Sequence, residues 1–257
     1  MLTAIEVKLG LPQNAKVNQS MGSVMHGALM EIVASEDAGQ LHKDGPRPFS
    51  QYLYYDRDRA AFFWRISALN EATFESVLVP VLQHEEELVL KQKGYALSLL
   101  EKKIVSQTSY EKIADEVFLS EQHYAGCEMR FLTSTGFKSE DRYVIFPQTS
   151  LIFQSLINRW NNFSNAFKLD DENAFQHLAE NAFISGYDMQ MKTFYVGNGK
   201  IPAFTGKLVL RLTGNDTMRR LVALLMNYAN YSGVGIKTAL GMGGINARTF
   251  VSKGRNG

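Results

Sequence analysis

Cysteine, proline and long apolar runs are scarce in this sequence. The 257 residues contain one cysteine, Cys127, and six prolines, so an internal disulfide is excluded and a reducing compartment is indicated. No apolar run reaches membrane-spanning length, and the start, MLTAIEVKLG, lacks a basic region followed by a long apolar run. We therefore expect no signal peptide, no membrane association and a cytoplasmic location.

Metal and cofactor motifs are also missing. The five histidines and the lone cysteine do not have the spacing of zinc ligands, so we expect no metal and no cofactor. Cys127 is interpreted as a small core residue rather than a nucleophile.

The charge of the chain is unevenly distributed. The net charge is +1, from 27 basic and 26 acidic residues. Residues 192–257 hold ten of the basic residues and only one acid, Asp216, which leaves 17 basic and 25 acidic residues in 1–191. Such asymmetry favours a polyanion as partner, although a solvated basic face is the simpler alternative.

Five glycines are concentrated in residues 231–245, YSGVGIKTALGMGGI. The phosphate loop of nucleotide hydrolases needs glycine directly before lysine, but Ile236 separates Gly235 from Lys237. The dinucleotide fingerprint fails as well, because Thr238 stands in place of its third glycine. A mobile surface turn rarely needs so many glycines among apolar residues. A backbone cradle for phosphate remains, since glycine lets amides approach another surface closely.

The order of predicted elements indicates an α+β fold. A strand, a helix, a strand pair, a second helix and further extended chain give the order βαββαβ, which is the ferredoxin-like split unit. After a helix-like insert, SYEKIADEVFLS, the order repeats with Trp160 on the apolar face of a strong helix. We predict two tandem ferredoxin-like domains, residues 1–115 and 116–257, the second carrying the C-terminal glycine-rich loop.

Three segments now carry a resemblance. GVGIKTALGMGG lies between the final helix and the final strand, MRFLTSTGFK leads to YVIFPQTSLIFQSLINRWN, and LHKDGPRPFSQYLYY follows the first helix. The chain resembles, over essentially its whole length, the CRISPR-associated endoribonucleases of the repeat-associated mysterious protein superfamily, which process precursor CRISPR RNA. The glycine loop is the specific part, because the fold is shared with many unrelated proteins.

The resemblance implies metal-independent cleavage within each CRISPR repeat. The ribose 2′-hydroxyl attacks the adjacent phosphate, which gives a 2′,3′-cyclic phosphate and a 5′-hydroxyl. This chemistry needs proton transfer to and from the reacting oxygens and positive charge at the phosphate. The expected partners are the precursor CRISPR RNA repeat and a multi-subunit effector complex that receives the product. Dimerisation stays open.

The resemblance also implies catalytic residues. His42 matches the histidine in the loop after the first helix, and Arg47 matches the basic residue after the Gly-Pro pair. Met30 stands where some relatives carry a tyrosine and cannot transfer a proton. His26, one helical turn earlier, is a candidate replacement, although a packed structural histidine is the alternative there.

For RNA binding, the resemblance favours the loop and the helix before it. The glycines would let amides approach phosphates, Lys237 would add a charge and Thr238 a hydroxyl, and the preceding helix could present two arginines to the same groove. The candidate RNA-binding residues are Gly233, Gly235, Lys237, Thr238, Gly241, Gly243, Gly244, Arg219 and Arg220.

Two other functions fit parts of the pattern. A non-catalytic RNA-binding subunit of a CRISPR effector would have the same fold and loop, and Met30 keeps that reading open. A ferredoxin-like metabolic enzyme whose loop binds a phosphorylated small molecule would show no salt-dependent RNA affinity, whereas binding to a phosphate backbone weakens as salt rises.

Overall fold

The first half of the chain builds one antiparallel sheet. A computed structural model describes residues 1–13, 15, 17–33, 45–85, 87–170 and 173–251. The strands lie in the order β2-β3-β1-β5-β4. They are β1 (Leu2–Gly10), β2 (Phe49–Asp56), β3 (Ala61–Ala68), β4 (Glu87–Leu90) and β5 (Tyr95–Thr108). Ile5 on the central strand pairs with Ile66 and Ile104 on its two neighbours, which fixes the register of the sheet.

Two helical segments pack on this sheet. The first, α1, is Gly22–Ile32 and follows a short 3-10 turn at Gln19–Met21. The second, α2, runs continuously through Glu71–Thr73, a π-helical turn at Phe74–Leu78, and Val79–Gln83. Asn70 begins it by accepting from the Thr73 amide, as expected of an N-cap asparagine.

One predicted extended segment is in fact a hairpin. Residues 88–109 were expected as continuous extended chain, but β4 and β5 pair with each other, Leu88 opposite Leu97. Gly94, with φ of +71°, closes the turn between them, a conformation that glycine adopts readily. Through this hairpin, β4 is added as an edge strand to the four strands of the βαββαβ unit.

The second half repeats the same topology. Its four-stranded sheet has the order β11-β6-β10-β9, in which the first and third strands of the unit are central. The strands are β6 (Tyr124–Thr135), β9 (Ala182–Val196), β10 (Gly199–Leu212) and β11 (Ile245–Val251). Two short strands, β7 (Phe137–Ser139) and β8 (Arg142–Val144), form a separate hairpin.

The helices of this half are α4 (Thr149–Phe163), α5 (Ala174–Glu180) and α6 (Asp216–Ser232). Trp160 on α4 is fully buried, as predicted, and its ring meets those of Tyr110 and Tyr228 edge-on. The two predicted ferredoxin-like units and the α+β class are confirmed.

The helix-like insert between the two units, α3 (Tyr110–Phe118), is capped by Ser109. Tyr110 and Ile113 belong to the core of the second half, and so do Leu2 and Leu69 from the first. The predicted boundary between residues 115 and 116 falls inside this helix. The two sheets divide at the helix, and the two halves share apolar packing across it.

Within the described residues, no helix is long and apolar enough to cross a membrane.

Candidate functional site

The glycine-rich segment forms a tight loop between α6 and β11 that packs against the first half of the chain. A short 3-10 helix, Thr238–Leu240, lies at its centre. Gly241 has φ of +96°, and a Cβ there would lie 2.5 Å from the Cα of Gly22 at the start of α1. At Gly243, with φ of +69°, a Cβ would overlap the carbonyl oxygen of Val234. These glycines are therefore needed for close packing inside the protein.

Most amides of the loop already donate within the protein. Gly235 donates to the Ser155 hydroxyl at 2.8 Å, and Gly244 to the Thr133 hydroxyl at 2.9 Å. The remaining glycine amides reach backbone carbonyls: Gly233 to Ala229, Gly241 to Thr238 and Gly243 to Ser134. The expectation that these five amides face RNA phosphates is corrected, because their hydrogens are used to hold the loop in place.

Three consecutive amides differ from the rest. Among the described residues, none accepts from the amides of Lys237, Thr238 and Ala239, which open the 3-10 helix. Lys237 is in the left-handed conformation, with φ of 55° and ψ of 36°. Successive backbone amides beside a left-handed residue can form a concavity that attracts anions. If the loop holds a phosphate through its backbone, these three amides are the candidates.

Lys237, Thr238 and Ala239 line a cavity of about 700 Å³ that lies between the two halves. Its walls come from α1, from the chain entering β2, from β7, from α4 and from the loop. The described lining residues are His26, Gly45, Pro46, Arg47, Phe137, Lys138, Leu151, Gln154, Ser155, Asn158, Arg159, Asn162 and Gly235 to Leu240. None of them is acidic and four are lysine or arginine, so this wall is positively charged.

His26 lies in this wall, on α1. Its ring stacks on Phe49 with the centroids 6.0 Å apart and the planes 10° from parallel. Met30, one turn further along α1, packs against the first core instead and is not among the lining residues. The structure therefore brings His26, and not the Met30 position, to the cavity.

Arg47 is half-buried at the cavity. Its backbone carbonyl accepts from the Arg159 guanidinium of α4 at 3.2 Å. His42 lies outside the described residues. Of the predicted catalytic residues, the structure thus places His26 and Arg47 in one cavity with Lys237 and Thr238.

Arg219 and Arg220 are not brought to this cavity. They lie in the first turn of α6, whereas the loop follows its last turn, about 20 Å away at 1.5 Å per residue. Arg220 donates to the Asp216 carboxylate and to the Val117 and Ser120 carbonyls, and Arg219 to the Gly214 and Tyr124 carbonyls. Their hydrogen bonds fasten α6 to α3 and to the start of β6. The expected position beside the loop is corrected.

Sequence reasoning missed the residue that joins the loop to α1. Gln51 on β2 is fully buried. Its amide nitrogen donates to the carbonyls of Gly22 at 2.8 Å and Ala239 at 3.1 Å, and its oxygen accepts from the Trp64 indole at 2.8 Å. Gln51 therefore fixes the turn at Thr238–Leu240 relative to the helix that carries His26. The available signal was a polar residue alternating with Phe49 and Leu53, which are buried on the same strand.

Two further observations concern metals and Cys127. In the part of the chain that the structure describes, no group of three or more His, Cys, Asp or Glu side chains is arranged to hold a metal ion. Cys127 is fully buried, and burial raises the pKa of its thiol to about 12. It is a core residue, as predicted, because a buried neutral thiol is a poor nucleophile.

Comparison with known proteins gives a consistent family. The model of the CRISPR-associated endoribonuclease Cas6 family matches residues 129–245. A CRISPR-associated endoribonuclease Cas6 of Streptococcus thermophilus is 31% identical over 88% of this chain and 91% of its own length. One of Mycobacterium tuberculosis is 26% identical over 91% of this chain and 74% of its own length.

Solved structures agree on the fold. A Cas6 (TTHB231) product complex superposes with a TM-score of 0.78 at 24% identity, over 97% of this chain and 99% of that one. A Cas6 (TTHA0078) product complex gives a TM-score of 0.76 at 21% identity, over 97% and 99%. At these identities the likeness establishes the arrangement of two ferredoxin-like units.

Proposed function

Because this chain belongs to the CRISPR-associated endoribonuclease Cas6 family, we propose that it binds CRISPR repeat RNA and cuts precursor CRISPR RNA within each repeat. The observation that carries the proposal is the cavity between the two halves. Its described walls combine Arg47, Lys138, Arg159 and Lys237 with a histidine, and contain no carboxylate. The positive side chains of such a wall attract the negatively charged phosphodiester backbone, and no negative side chain in the described lining repels it.

The proposed reaction is a transesterification by the RNA itself. The 2′-oxygen bonds to the adjacent phosphorus as the bond from phosphorus to the 5′-oxygen breaks, which leaves a 2′,3′-cyclic phosphate and a 5′-hydroxyl. A base takes the proton of the 2′-hydroxyl and an acid gives one to the leaving oxygen. RNA supplies the nucleophile, so the inert thiol of Cys127 is not needed.

In this proposal, His26 and His42 are the candidates for proton transfer. His26 is half-buried in the cavity wall, and an imidazole exchanges protons near neutral pH. His42 is the second candidate. Of the two, His26 is the one supported by position among the described residues, and its stacking on Phe49 would hold the ring in one orientation, as a positioned acid or base requires.

Charge stabilisation falls to the groups around the phosphate. The Arg47 guanidinium can hold two phosphate oxygens. The amides of Lys237, Thr238 and Ala239 are available to oxygen atoms that gain charge as phosphorus becomes five-coordinate. Because cations and amides surround the phosphate, the proposed reaction proceeds without a metal ion.

The product has a proposed destination too. The cut RNA passes to a multi-subunit effector complex, and the protein acts in the cytoplasm, where the precursor is made. One chain supplies all of the described walls of the cavity. A homodimer would therefore not be needed to form the site, but it could form without changing it.

The test is incubation with the host's labelled repeat RNA in EDTA, beside the same RNA carrying one 2′-deoxy substitution at the cleavage position. A single cut that survives EDTA and disappears with the 2′-deoxy substitution is the expected result. Loss of cutting in EDTA would contradict metal independence. Tight, salt-sensitive binding without a cut would identify a non-catalytic effector subunit, and absence of RNA binding would favour a phosphorylated small molecule as ligand.

A further inference from the structure

Arg159 on α4 is a buried cation that reaches from the second half of the chain to the first. Its residue is only 6% exposed, and it lines the cavity. One of its terminal nitrogens donates to the carbonyls of Arg47 at 3.2 Å and Phe49 at 3.4 Å. Its Nε is buried and has no acceptor. The guanidinium is thus only partly satisfied by the protein.

Arg159 has no carboxylate partner among the described residues, although its guanidinium carbon lies 5.8 Å from the centre of the Phe163 ring. No carboxylate among the described residues lies within ion-pair distance of it. Tyr228 and Tyr110 interact electrostatically with Arg159, and burial raises the pKa of both hydroxyls, that of Tyr228 to about 12. These tyrosines are neutral at physiological pH and supply no counter-charge. Burial accordingly lowers the pKa of Arg159 from its usual value.

Two other arginines show what the fold normally provides. Arg65 pairs with Glu6 at 3.1 Å, and Arg220 pairs with Asp216 while also bonding backbone carbonyls. Arg159 donates to backbone carbonyls in the same way, but it has no carboxylate partner among the described residues. A buried ion without a counter-ion is costly to stability, and the cost is relieved when an anion enters the cavity.

We propose that Arg159 binds a phosphate of the RNA in this cavity, which Lys237 also lines. This inference rests on the proposed function and adds the contribution of α4 to the site. The same guanidinium holds the backbone at Arg47, so one residue both contacts the phosphate and positions a second cation beside it.

The experiment compares Arg159→Gln, Arg159→Lys and the matched control Arg220→Gln. Glutamine removes the charge but keeps an amide donor and most of the apolar stem, which limits the disturbance of the fold. Binding is measured with 2′-deoxy-blocked repeat RNA over a range of salt concentrations, and thermal unfolding is measured with and without inorganic pyrophosphate at constant ionic strength.

We expect Arg159→Gln to weaken RNA binding at least about tenfold at low salt, the scale of a lost hydrogen bond to a charged group. The slope of log K against log salt should fall by about 0.7 to 0.9, because one phosphate contact is lost. Arg159→Lys should keep the slope, since the charge remains. Arg220→Gln should keep both affinity and slope but lower the melting temperature without ligand.

An unchanged slope in Arg159→Gln, with a melting temperature lowered as in Arg220→Gln, would overturn the proposal and make Arg159 a structural residue. Cleavage of unblocked RNA by the unaltered protein is followed separately, so failure of the nuclease function is recognised by itself. If RNA does not bind at all, the pyrophosphate arm decides: stabilisation that Arg159→Gln abolishes supports the site, and equal stabilisation of all variants overturns it.

Discussion

Gly22 and Gly241 meet where the first turn of α1 rests on the glycine-rich loop, so closely that a Cβ on Gly241 would lie 2.5 Å from the Cα of Gly22. The reverse holds too, because a Cβ on Gly22 would lie 2.6 Å from the Cα of Gly241. The two ferredoxin-like units are joined here by backbone against backbone. His26 is one turn from this contact and Thr238 three residues from it, so both sides of the cavity are fixed by it.

Gly241→Ala is therefore expected to lower the free energy of unfolding by more than about 2 kcal/mol, through left-handed backbone strain and the clash with α1. Gly27→Ala is the matched control, since a Cβ at Gly27 meets nothing within 4 Å and alanine is the better helix former. It should stabilise by about 0.5 to 1 kcal/mol. Urea unfolding of both variants measures the difference, and equal stabilities would contradict the close packing.

Gln51→Glu should be among the most destabilising isosteric changes in this chain, by at least about 3 kcal/mol at neutral pH. It replaces an amide donor to Gly22 and Ala239 by a buried carboxylate. Burial would raise the pKa of that carboxyl, so the penalty should shrink as pH falls and the group is protonated. Unfolding at pH 5 and pH 8 tests this. Gln122→Glu, at an exposed position, should change stability by less than about 0.5 kcal/mol.

Lys237→Gly should separate stability from binding. Lys237 has φ of 55°, a conformation that costs a non-glycine residue about 1 kcal/mol or more. Glycine relieves the strain and removes the charge, so stability should hold or rise by up to about 1 kcal/mol, while RNA affinity falls and its salt slope flattens. Lys237→Ala should lose the same affinity with no gain in stability. Unchanged affinity in both variants would remove Lys237 from the proposed site.

His26→Ala is expected to slow single-turnover cleavage by about 10² to 10⁴, the scale of a positioned acid or base, with the dissociation constant for RNA nearly unchanged. His26→Phe is the control, because it keeps a ring against Phe49 without a transferable proton. It should be as slow as the alanine variant. If it cleaved normally, His26 would be a packing residue, and His42→Ala would then be expected to show the full loss.

The alkaline limit of stability should depend on Cys127. The folded pKa of its thiol is about 12 against an ordinary 9.0, so its contribution is fully present below pH 9 and is lost as pH rises toward 12. The loss is about 1.4 kcal/mol per pH unit while only the unfolded thiol is ionised. Cys127→Ala should flatten the fall in unfolding free energy between pH 9 and 11. An equally steep fall in that variant would assign the effect to other groups, such as Tyr228.

Local chemistry was predictable where it depended on neighbours in sequence. Asn70 and Asn215 begin their helices through bonds to amides three residues on, and the spacing of apolar residues placed Trp160 inward. The turn at Gly94 was missed because apolar residues on both sides suggested one strand. The packing of α3, which contains residues 115 and 116, on the core of the second half could not be predicted, because only tertiary structure determines it.

The sequence predicted which residues line the candidate site better than it predicted what their groups do there. His26, Arg47, Lys237 and Thr238 do line one cavity. The use of the glycine amides was not foreseeable, because their acceptors, such as Ser155 and Ser134, lie far away in sequence. Arg219 and Arg220 stand near the loop in sequence but at the far end of a 17-residue helix. Gln51 and Arg159 lie within segments that carry the family resemblance, but nothing in those segments marked either residue as part of the site.

The loop whose amides are already bonded internally also has a consequence for recognition. Such a loop is too rigid to change its conformation when RNA binds. Most of the conformational entropy lost on binding is therefore lost by the RNA. A repeat RNA whose backbone is already bent at the scissile phosphate would lose less entropy on binding than a flexible single strand of the same charge. The protein would then select its RNA partly by stiffness, a property that no single base contact encodes.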